Sequence, residues 1–442
     1  VTREPLVPKL KAVTRSLTEA PDLVALADPE HPLLWIRGDR GCVGIGETLR
    51  LTFKGPDRFT DAAKKWRAIA KNARIDDTVQ MPGSGLMALG TFAFADHSGH
   101  ESVLIVPRIL VARHREAYWL TTITDITETT DITETPEAAT AGNSPETTAN
   151  PAILTPEAPR PWQGITFTES TQSPIDAYLA GVRKATETIN KGEAEKIVLA
   201  RQIESTIAKD ADLRTPLSRL ADRYLDCWTF AVDGLIGASP ETLIRATDGA
   251  VSARVLAGTR GRHPESEQRD AQARDELLTS SKEQHEHAFA VQSVVTALSP
   301  YVNELHTSEE PFPLQLPNVW HLATDLGATL KEHSSALELV GAIHPSAAIA
   351  GTPTAAAVAA IKEIEPFDRG RYSGAVGWID ADGDGEWVIA LRCAQLDPAD
   401  HRNSSRRIIA SAGGGIVAGS DPEHELRETV SKFRPITEAF GE

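Results

Sequence analysis

Lys196 stands in Glu195-Lys-Ile-Val-Leu-Ala-Arg201, a short apolar run in which an amine either reaches out to solvent or points into a cleft. Glu241 follows Ser239-Pro240, which suggests a turn into or beside a strand. Glu286 lies two residues past Gln284, and Ser281-x-x-Gln284 has the form of a capping box. That box predicts a rigid helix with Ala288, Val291, Val295 and Leu298 as its apolar stripe and Glu286 held on it. The C-terminal stretch carries more. Gly413-Gly414-Gly415 leads from a strand to a helix opened by Ser420-x-x-Glu423, with Leu426, Val430 and Phe433 as its apolar stripe. On that helix Glu425, Glu428 and Lys432 fall at i, i+3 and i+7 and share one face. Three consecutive glycines read as a turn where backbone approaches a ligand closely and successive N–H groups cradle an anion. Arg392, within an expected strand Val-Ile-Ala-Leu-Arg-Cys, offers a bidentate grip on a carboxylate. Two carboxylates and a lysine beside such a turn suit a divalent cation and an anionic substrate together. Taken singly, each signal also fits a solvated helix face or a snorkelling side chain.

Three other patterns lead elsewhere and fail on spacing. Gly41-Cys-Val-Gly-Ile-Gly-Glu47 lacks the third glycine of a dinucleotide fingerprint, since Leu49 stands there, and reads as a glycine-rich turn between strands. His285-Glu286-His287 is not a zinc-protease helix motif. Phe289 occupies the second histidine's place, and residues i and i+2 point to different helix faces. Asp380, Asp382, Asp384 and Gly385 open like a calcium loop, but its twelfth position is Leu391, so a hairpin turn is expected.

The elements that must position these residues form an α+β pattern. Helical periodicity marks Asp61–Ala73, Ser173–Gly192 and Ser280–Pro300. Strand-like runs include Leu33-Leu-Trp-Ile-Arg-Gly38, Ser102–Ala112, Lys196–Thr206, Ser252–Gly258, Gly374–Asp380, Glu386–Leu396 and Arg406–Ala412. Several follow one another through turns rather than crossover helices. That predicts large mixed or antiparallel sheets covered by helices, not a doubly wound parallel sheet. Thr121–Pro159 contains no lysine or arginine and repeats Thr-Asp-Ile-Thr-Glu-Thr in tandem. Such a stretch buries too little apolar area to offset ordering entropy and reads as an acidic insertion or linker. The expected division is 1–119 as an N-terminal part of the fold, 120–159 as the insertion, and 160–442 as the catalytic region.

Composition narrows the function further. With 41% hydrophobic and 24% charged residues, the 442-residue chain can bury a sizeable core. Its formal charge of −17 argues against nucleic acid or an anionic membrane as main partner, yet leaves room for a few cations to dominate one pocket. Cys42, Cys227 and Cys393 are too scattered for a zinc site or disulfide framework, which fits a reduced cytoplasmic setting. Neither a signal-peptide core nor an apolar run of about 18 residues is present.

Taken in order, these segments resemble the chorismate-utilising enzymes, and among them the isochorismate synthases. The resemblance covers roughly 160–442. It rests on Lys196 in its apolar run, Gly-Ala-Ser-Pro-Glu241, Val-Leu-Ala-Gly258-Thr-Arg-Gly-Arg and Ser-Ser-Lys-Glu-Gln-His-Glu286-His. It continues through Val-Trp-His321-Leu-Ala-Thr, Ala-Ile-His344-Pro-Ser, the Arg392 strand and Ala-Gly-Gly414-Gly to Lys432. The resemblance implies an anthranilate synthase component I-like fold, chorismate as substrate, Mg²⁺ as cofactor and a monomer. It also implies roles. Lys196 is the base activating water for attack at ring C2, and Glu241 the acid protonating the hydroxyl that leaves C4. Glu286 and Glu428 ligate Mg²⁺, with Glu425 supporting the metal's waters. Arg392 and Lys432 contact substrate carboxylate, while Gly258, His321 and the backbone at Gly414 line the pocket. A lysine at 196 favours water over ammonia as nucleophile. Ala257 in place of lysine disfavours the aminodeoxychorismate type, and no Leu-Leu-Glu-Ser motif marks the anthranilate type. Thr324 in His-Leu-Ala-Thr favours isochorismate over salicylate synthase. A salicylate synthase and a catalytically silent chorismate sensor are the alternatives.

Overall fold

The structure, a computed structural model, describes residues 7–127, 155–315, 319–398 and 403–442. Most of the acidic insertion, 128–154, lies outside the described residues. In β1 (Leu10–Ser16) Leu10, Ala12 and Thr14 are buried while Lys11, Arg15 and Ser16 are exposed, the two-residue period of a half-covered strand. β2 (Leu33–Arg37) has four buried residues in a row, as a strand covered on both faces does. It pairs with β3 (Arg40–Phe53), which contains the whole of Gly41–Glu47. The expected turn there is therefore strand. Its glycines serve close packing: a Cβ on Gly41 would lie 2.1 Å from the Trp35 carbonyl oxygen, and one on Gly44 2.6 Å from Leu33 Cδ2.

α1 (Arg58–Asn72) is the predicted amphipathic helix, with Phe59, Ala62, Trp66 and Ile69 on its buried face. β4 (Arg74–Asp77), β5 (Met87–Thr91), β6 (Ser102–His114) and β7 (Ala117–Asp125) complete the N-terminal strands. Next come β8 (Thr168–Glu169), α2 (Ile175–Asn190), β9 (Lys196–Ala208), α3 (Arg214–Arg223), β10 (Trp228–Val232), β11 (Leu235–Ser239), β12 (Thr242–Thr247) and β13 (Ala250–Gly261). α4 (Glu267–Thr279), α5 (Ser281–Leu298), β14 (Val302–Thr307), β15 (Phe312–Gln315), β16 (Val319–Leu330), α6 (Ala336–Ile343), β17 (Gly351–Thr352) and α7 (Thr354–Ile364) follow. The chain ends with β18 (Ala375–Asp380), β19 (Gly385–Ile389), β20 (Cys393–Leu396), β21 (Ser405–Ile416) and α8 (Pro422–Phe440).

Among the described residues every strand pairing is antiparallel except β1 with β4, as the turn-linked strands predicted. The early and late strands are joined by β2–β10 and β5–β18. Asp380–Gly385 is the expected hairpin turn between β18 and β19, where Asp380 Oδ1 accepts from the backbone N–H groups of Asp382 and Asp384, each at 3.0 Å. No helix among the described residues is long and apolar enough to cross a membrane.

One buried ion pair ties β9 to the segment before β17. Arg369 meets Glu365 at 2.6 Å, with the two side chains only 2% and 3% exposed. Arg369 also donates to the carbonyls of Ile349 (3.0 Å) and Val198 (2.7 Å), while Glu365 accepts from the Ala200 N–H at 2.8 Å. Removing the guanidinium leaves a buried carboxylate uncompensated. We expect Arg369→Met to destabilise the fold by about 3–5 kcal/mol, read as a lower urea midpoint; an unchanged midpoint would contradict this role.

Candidate active site

Lys196 begins β9, and β9 pairs with the full 12 residues of β21. Gly413, Gly414 and Gly415 lie inside that ladder, opposite Ala200, Leu199 and Val198. They are not the predicted anion-cradling turn, because successive N–H groups of an extended strand point to opposite sides rather than converge. The strand needs them small. A Cβ on Gly413 would come 2.3 Å from the Leu199 carbonyl oxygen, and one on Gly415 2.6 Å from Lys196 Cε. The lysine side chain thus runs across the bare backbone of Gly415. Burial holds its amine below the ordinary lysine range; the charges of Glu286 and Glu241 oppose this shift, and Lys432 adds to it.

Glu241 sits between β11 and β12, fixed through its backbone. Its N–H donates to Ser239 Oγ at 3.3 Å, and its carbonyl accepts from the Ile389 N–H at 3.0 Å. Burial raises the pKa of its half-buried carboxyl, while Lys196 and Arg392 pull the other way. Arg392 is not inside a continuous strand as expected. It occupies the break between β19 and β20 at φ +48°. The break has a cause: β19 pairs with β12 and β18, whereas β20 pairs with β11 and β21, so the chain changes partners there.

α5 carries Glu286, half-buried. Its cap is Ser280, one residue before the predicted box, with Oγ accepting from the Glu283 N–H at 3.4 Å. Gln284 instead donates to the Leu278 carbonyl at 2.9 Å. Ala288, expected on the apolar stripe, is exposed, and Val294 and Leu298 pack on the core, because only the later turns of α5 lie against it. α8 is capped by Asp421, whose Oδ1 accepts from the His424 N–H at 2.8 Å; Ser420 Oγ accepts from the Val417 N–H. Of the expected stripe Phe433 is buried and Leu426 packs on the core, joined by Ile436 and Phe440, whereas Val430 is 55% exposed. The polar face is as predicted. Lys432 Nζ lies 2.5 Å from Glu428 Oε1 and donates to the Gly413 carbonyl at 2.7 Å. Gly414 faces this group: a Cβ there would be 3.2 Å from Glu425 Oε2, 3.6 Å from Lys432 Nζ and 3.7 Å from Glu428 Oε1. Burial raises the Glu425 pKa, a Ser420 hydrogen bond opposes it, and Glu428 adds to the rise.

His321 and Gly258 complete the cluster. Gly258, at φ +75°, lies where β13 bulges against β16, and its carbonyl accepts from His321 Nδ1 at 3.3 Å. Burial lowers the His321 pKa, the Gly258 bond opposes, and the Lys196 charge lowers it further. All ten sequence-predicted residues therefore join one network. Lys196 is coupled to Glu241, Glu286, Lys432 and His321; Arg392 joins through Glu241, Glu428 and Glu425 through Lys432 and Gly414, and Gly258 through His321. Glu283 was overlooked, although Glu283/Glu286 on α5 repeats the i, i+3 spacing of Glu425/Glu428 on α8. A Cβ on Gly258 would lie 3.3 Å from Glu283 Oε2. Among the described residues no three His, Cys, Asp or Glu side chains form a ready coordination group. A cavity lined by Trp35, Trp119, Trp228 and Trp378 shares no lining residue with this network.

Comparison with known proteins places the chain. The family model described as "Chorismate binding enzyme" matches residues 26–441. The isochorismate synthase DhbC of Bacillus subtilis is 40% identical over 278 residues, spanning 60% of this chain and 67% of that protein. MenF, the menaquinone-specific isochorismate synthase of Escherichia coli, superposes with a TM-score of 0.71 at 23% identity, over 99% of this chain and 96% of its own. Anthranilate synthase component I of Streptococcus pneumoniae gives 0.61 at 20% identity, over 96% and 92%. These last two establish the fold, the α+β architecture expected from the sequence. The chain belongs to the chorismate-binding enzyme family.

Proposed function

We propose that this chain is an isochorismate synthase in which Lys196 is the general base and Glu241 the general acid. The observation that carries the reading is the convergence of these two groups with Glu286, Glu428 and Lys432 from distant parts of the chain on one network. Burial pushes the amine down from its ordinary 10.5 and the carboxyl up from its ordinary 4.5. Each shift favours the protonation state its role needs. Water loses a proton to the Lys196 amine as its oxygen bonds to ring C2. The ring double bonds shift, the C4–O bond breaks, and the departing hydroxyl takes a proton from Glu241 and leaves as water. Atoms balance as an isomerisation. Arg392 and Lys432 face the two carboxylates of the substrate, and His321, Gly258 and Gly414 line the ring. The small residues leave room for it.

The donor set fits a hard divalent cation. Glu286 and Glu428 offer carboxylate oxygens from two helices, with Glu425 beside Glu428 to hold the cation's waters. Two carboxylates without a third protein ligand is the pattern of Mg²⁺, which keeps several waters and takes substrate oxygens. When bound it would neutralise and fix the ring carboxylate. The B. subtilis relative named for this activity supports the same reading.

Purified protein given chorismate and Mg²⁺ should yield isochorismate, identified by mass and ultraviolet spectrum; salicylate would instead indicate a salicylate synthase, and binding without turnover a sensor. Lys196→Ala should lower kcat by about 10²–10⁴-fold with little change in chorismate affinity, and normal turnover would remove the base assignment. The pH profile of kcat/KM follows from the directions of the two shifts. The amine must be neutral, so activity rises with pH through the lowered lysine pKa. The carboxyl must be protonated, so activity falls with pH through the raised glutamate pKa. Glu241→Gln should abolish the limb that belongs to the carboxyl and cut kcat by about 10²-fold or more. An unaltered profile in that variant would assign the acid elsewhere.

A further inference from the structure

We infer that His287 is the positioning residue for the carboxylates of α5: it seats the site end of that helix on the sheet and so fixes where Glu283 and Glu286 stand. The inference rests on the proposed function, since it takes Glu286 as a carboxylate that holds the divalent cation.

The first turns of α5 lack an apolar anchor. Of the described side chains between 281 and 290, only His287 is buried, at 2% exposure. Its neighbours Ala288 and Phe289 are exposed, the latter at 65%, and the core contacts of Val294 and Leu298 begin two turns later. His287 reaches two adjacent strands. Nδ1 lies 3.1 Å from the Ala257 carbonyl oxygen on β13, and Nε2 lies 2.7 Å from Thr324 Oγ1 on β16. A carbonyl only accepts, so Nδ1 carries the proton. In the neutral ring Nε2 then accepts from the Thr324 hydroxyl. Both ring nitrogens are committed, and the ring plane is set by two directional contacts.

The place of contact ties this anchor to the site. Ala257 and Gly258 form the β13 bulge, and their successive carbonyls hold one histidine each, His287 from the helix and His321 from the facing strand. His321 feels the Lys196 charge directly, and so does Glu286. Rotation of α5 about its axis would therefore move Glu286 relative to Lys196. A leucine at 287 could fill similar space, but apolar contact is indifferent to such rotation. Hydrogen bonds are not.

The test uses the full-length chain with Mn²⁺ as probe, its binding followed by electron paramagnetic resonance. His287→Leu should keep native far-ultraviolet circular dichroism yet weaken Mn²⁺ binding about 10-fold or more, as loss of an orienting partner does. His287→Asn can still donate to the Ala257 carbonyl and should recover most of that affinity. Thr324→Val, which removes one of the two contacts, should fall between. In turnover, the leucine variant should need more Mg²⁺ for half-saturation, with kcat at saturating Mg²⁺ recovering. Wild-type Mn²⁺ affinity in a folded leucine variant overturns the inference; should that variant not fold, undiminished affinity in Thr324→Val does so. If the wild type binds Mn²⁺ but leaves chorismate unchanged, the proposed function fails while the His287 result stands. Wild type without Mn²⁺ affinity overturns both.

Discussion

A lysine side chain laid across a strand at its run of three glycines is the constraint around which this structure is arranged. Lys196 Cε would be 2.6 Å from a Cβ on Gly415, so any side chain at 415 would push the lysine off its present path. Such a strand is poor in local stabilisation, since glycine loses more chain entropy on ordering than other residues do. The neighbours compensate. β21 is held by β9 along its whole length and by β20 over Cys393–Leu396, and α8 packs against it through the Lys432 bond to Gly413. The Arg369–Glu365 pair then holds β9 from its other side through Val198 and Ala200. Backbone order that glycine cannot supply locally is supplied by tertiary contacts.

The same logic accounts for the charges. A chain of net charge −17 gathers Lys196, Arg392 and Lys432 into one network with Glu241, Glu286, Glu425 and Glu428. Each cation is restrained by a nearby carboxylate, and each carboxylate is tempered by burial or by a cation. Lys432 shows how one residue can serve both ends. It grips Glu428, donates to the Gly413 carbonyl, and depresses the affinity of Lys196 for a proton. Charge on the protein surface at large has little bearing on this arrangement, because exposed charges beyond about 10 Å are screened while buried ones are not.

Much of this was legible in the sequence, and the misses share a cause. Helical periodicity located α1, α2 and α5, and the i, i+3, i+7 spacing put Glu425, Glu428 and Lys432 on one face as found. Alternating and apolar runs located β2, β6, β9 and β18. The errors fell where a local preference was overridden by a partner distant in the chain. Gly41–Gly46 and Gly413–Gly415 read as turns because glycine favours them, yet in each the absent side chain makes room for a neighbouring strand. Arg392 read as strand interior, since nothing local records that the sheet changes partners there. Ser281 and Ser420 were each one residue off as caps, a shift that adjacent Ser280 and Asp421 make invisible to pattern alone. Val430 fits the helical stripe but faces out, because the buried face of α8 runs through Phe433 to Ile436 and Phe440. The helix that carries Glu286 was found, but not what seats its first turns, because a buried histidine carries no periodic signature.

Burial also bears on which form of the central acid–base pair the proposed reaction meets. Lys196 and Glu241 can share their proton in two ways, as ammonium with carboxylate or as amine with carboxylic acid. Net charge is the same in both. Their mutual attraction favours the charged form, and each appears as the opposing influence on the other's shift. Desolvation favours the neutral form, and it is the larger influence on both residues. The neutral form is the reactive one, since the base is free to take a proton and the acid holds one to give. Water reaching the pair would strengthen solvation of the charged form and turn it toward the wrong state. A substrate ring that displaces water would do the reverse, so binding itself would prime the two groups for opposite proton transfers.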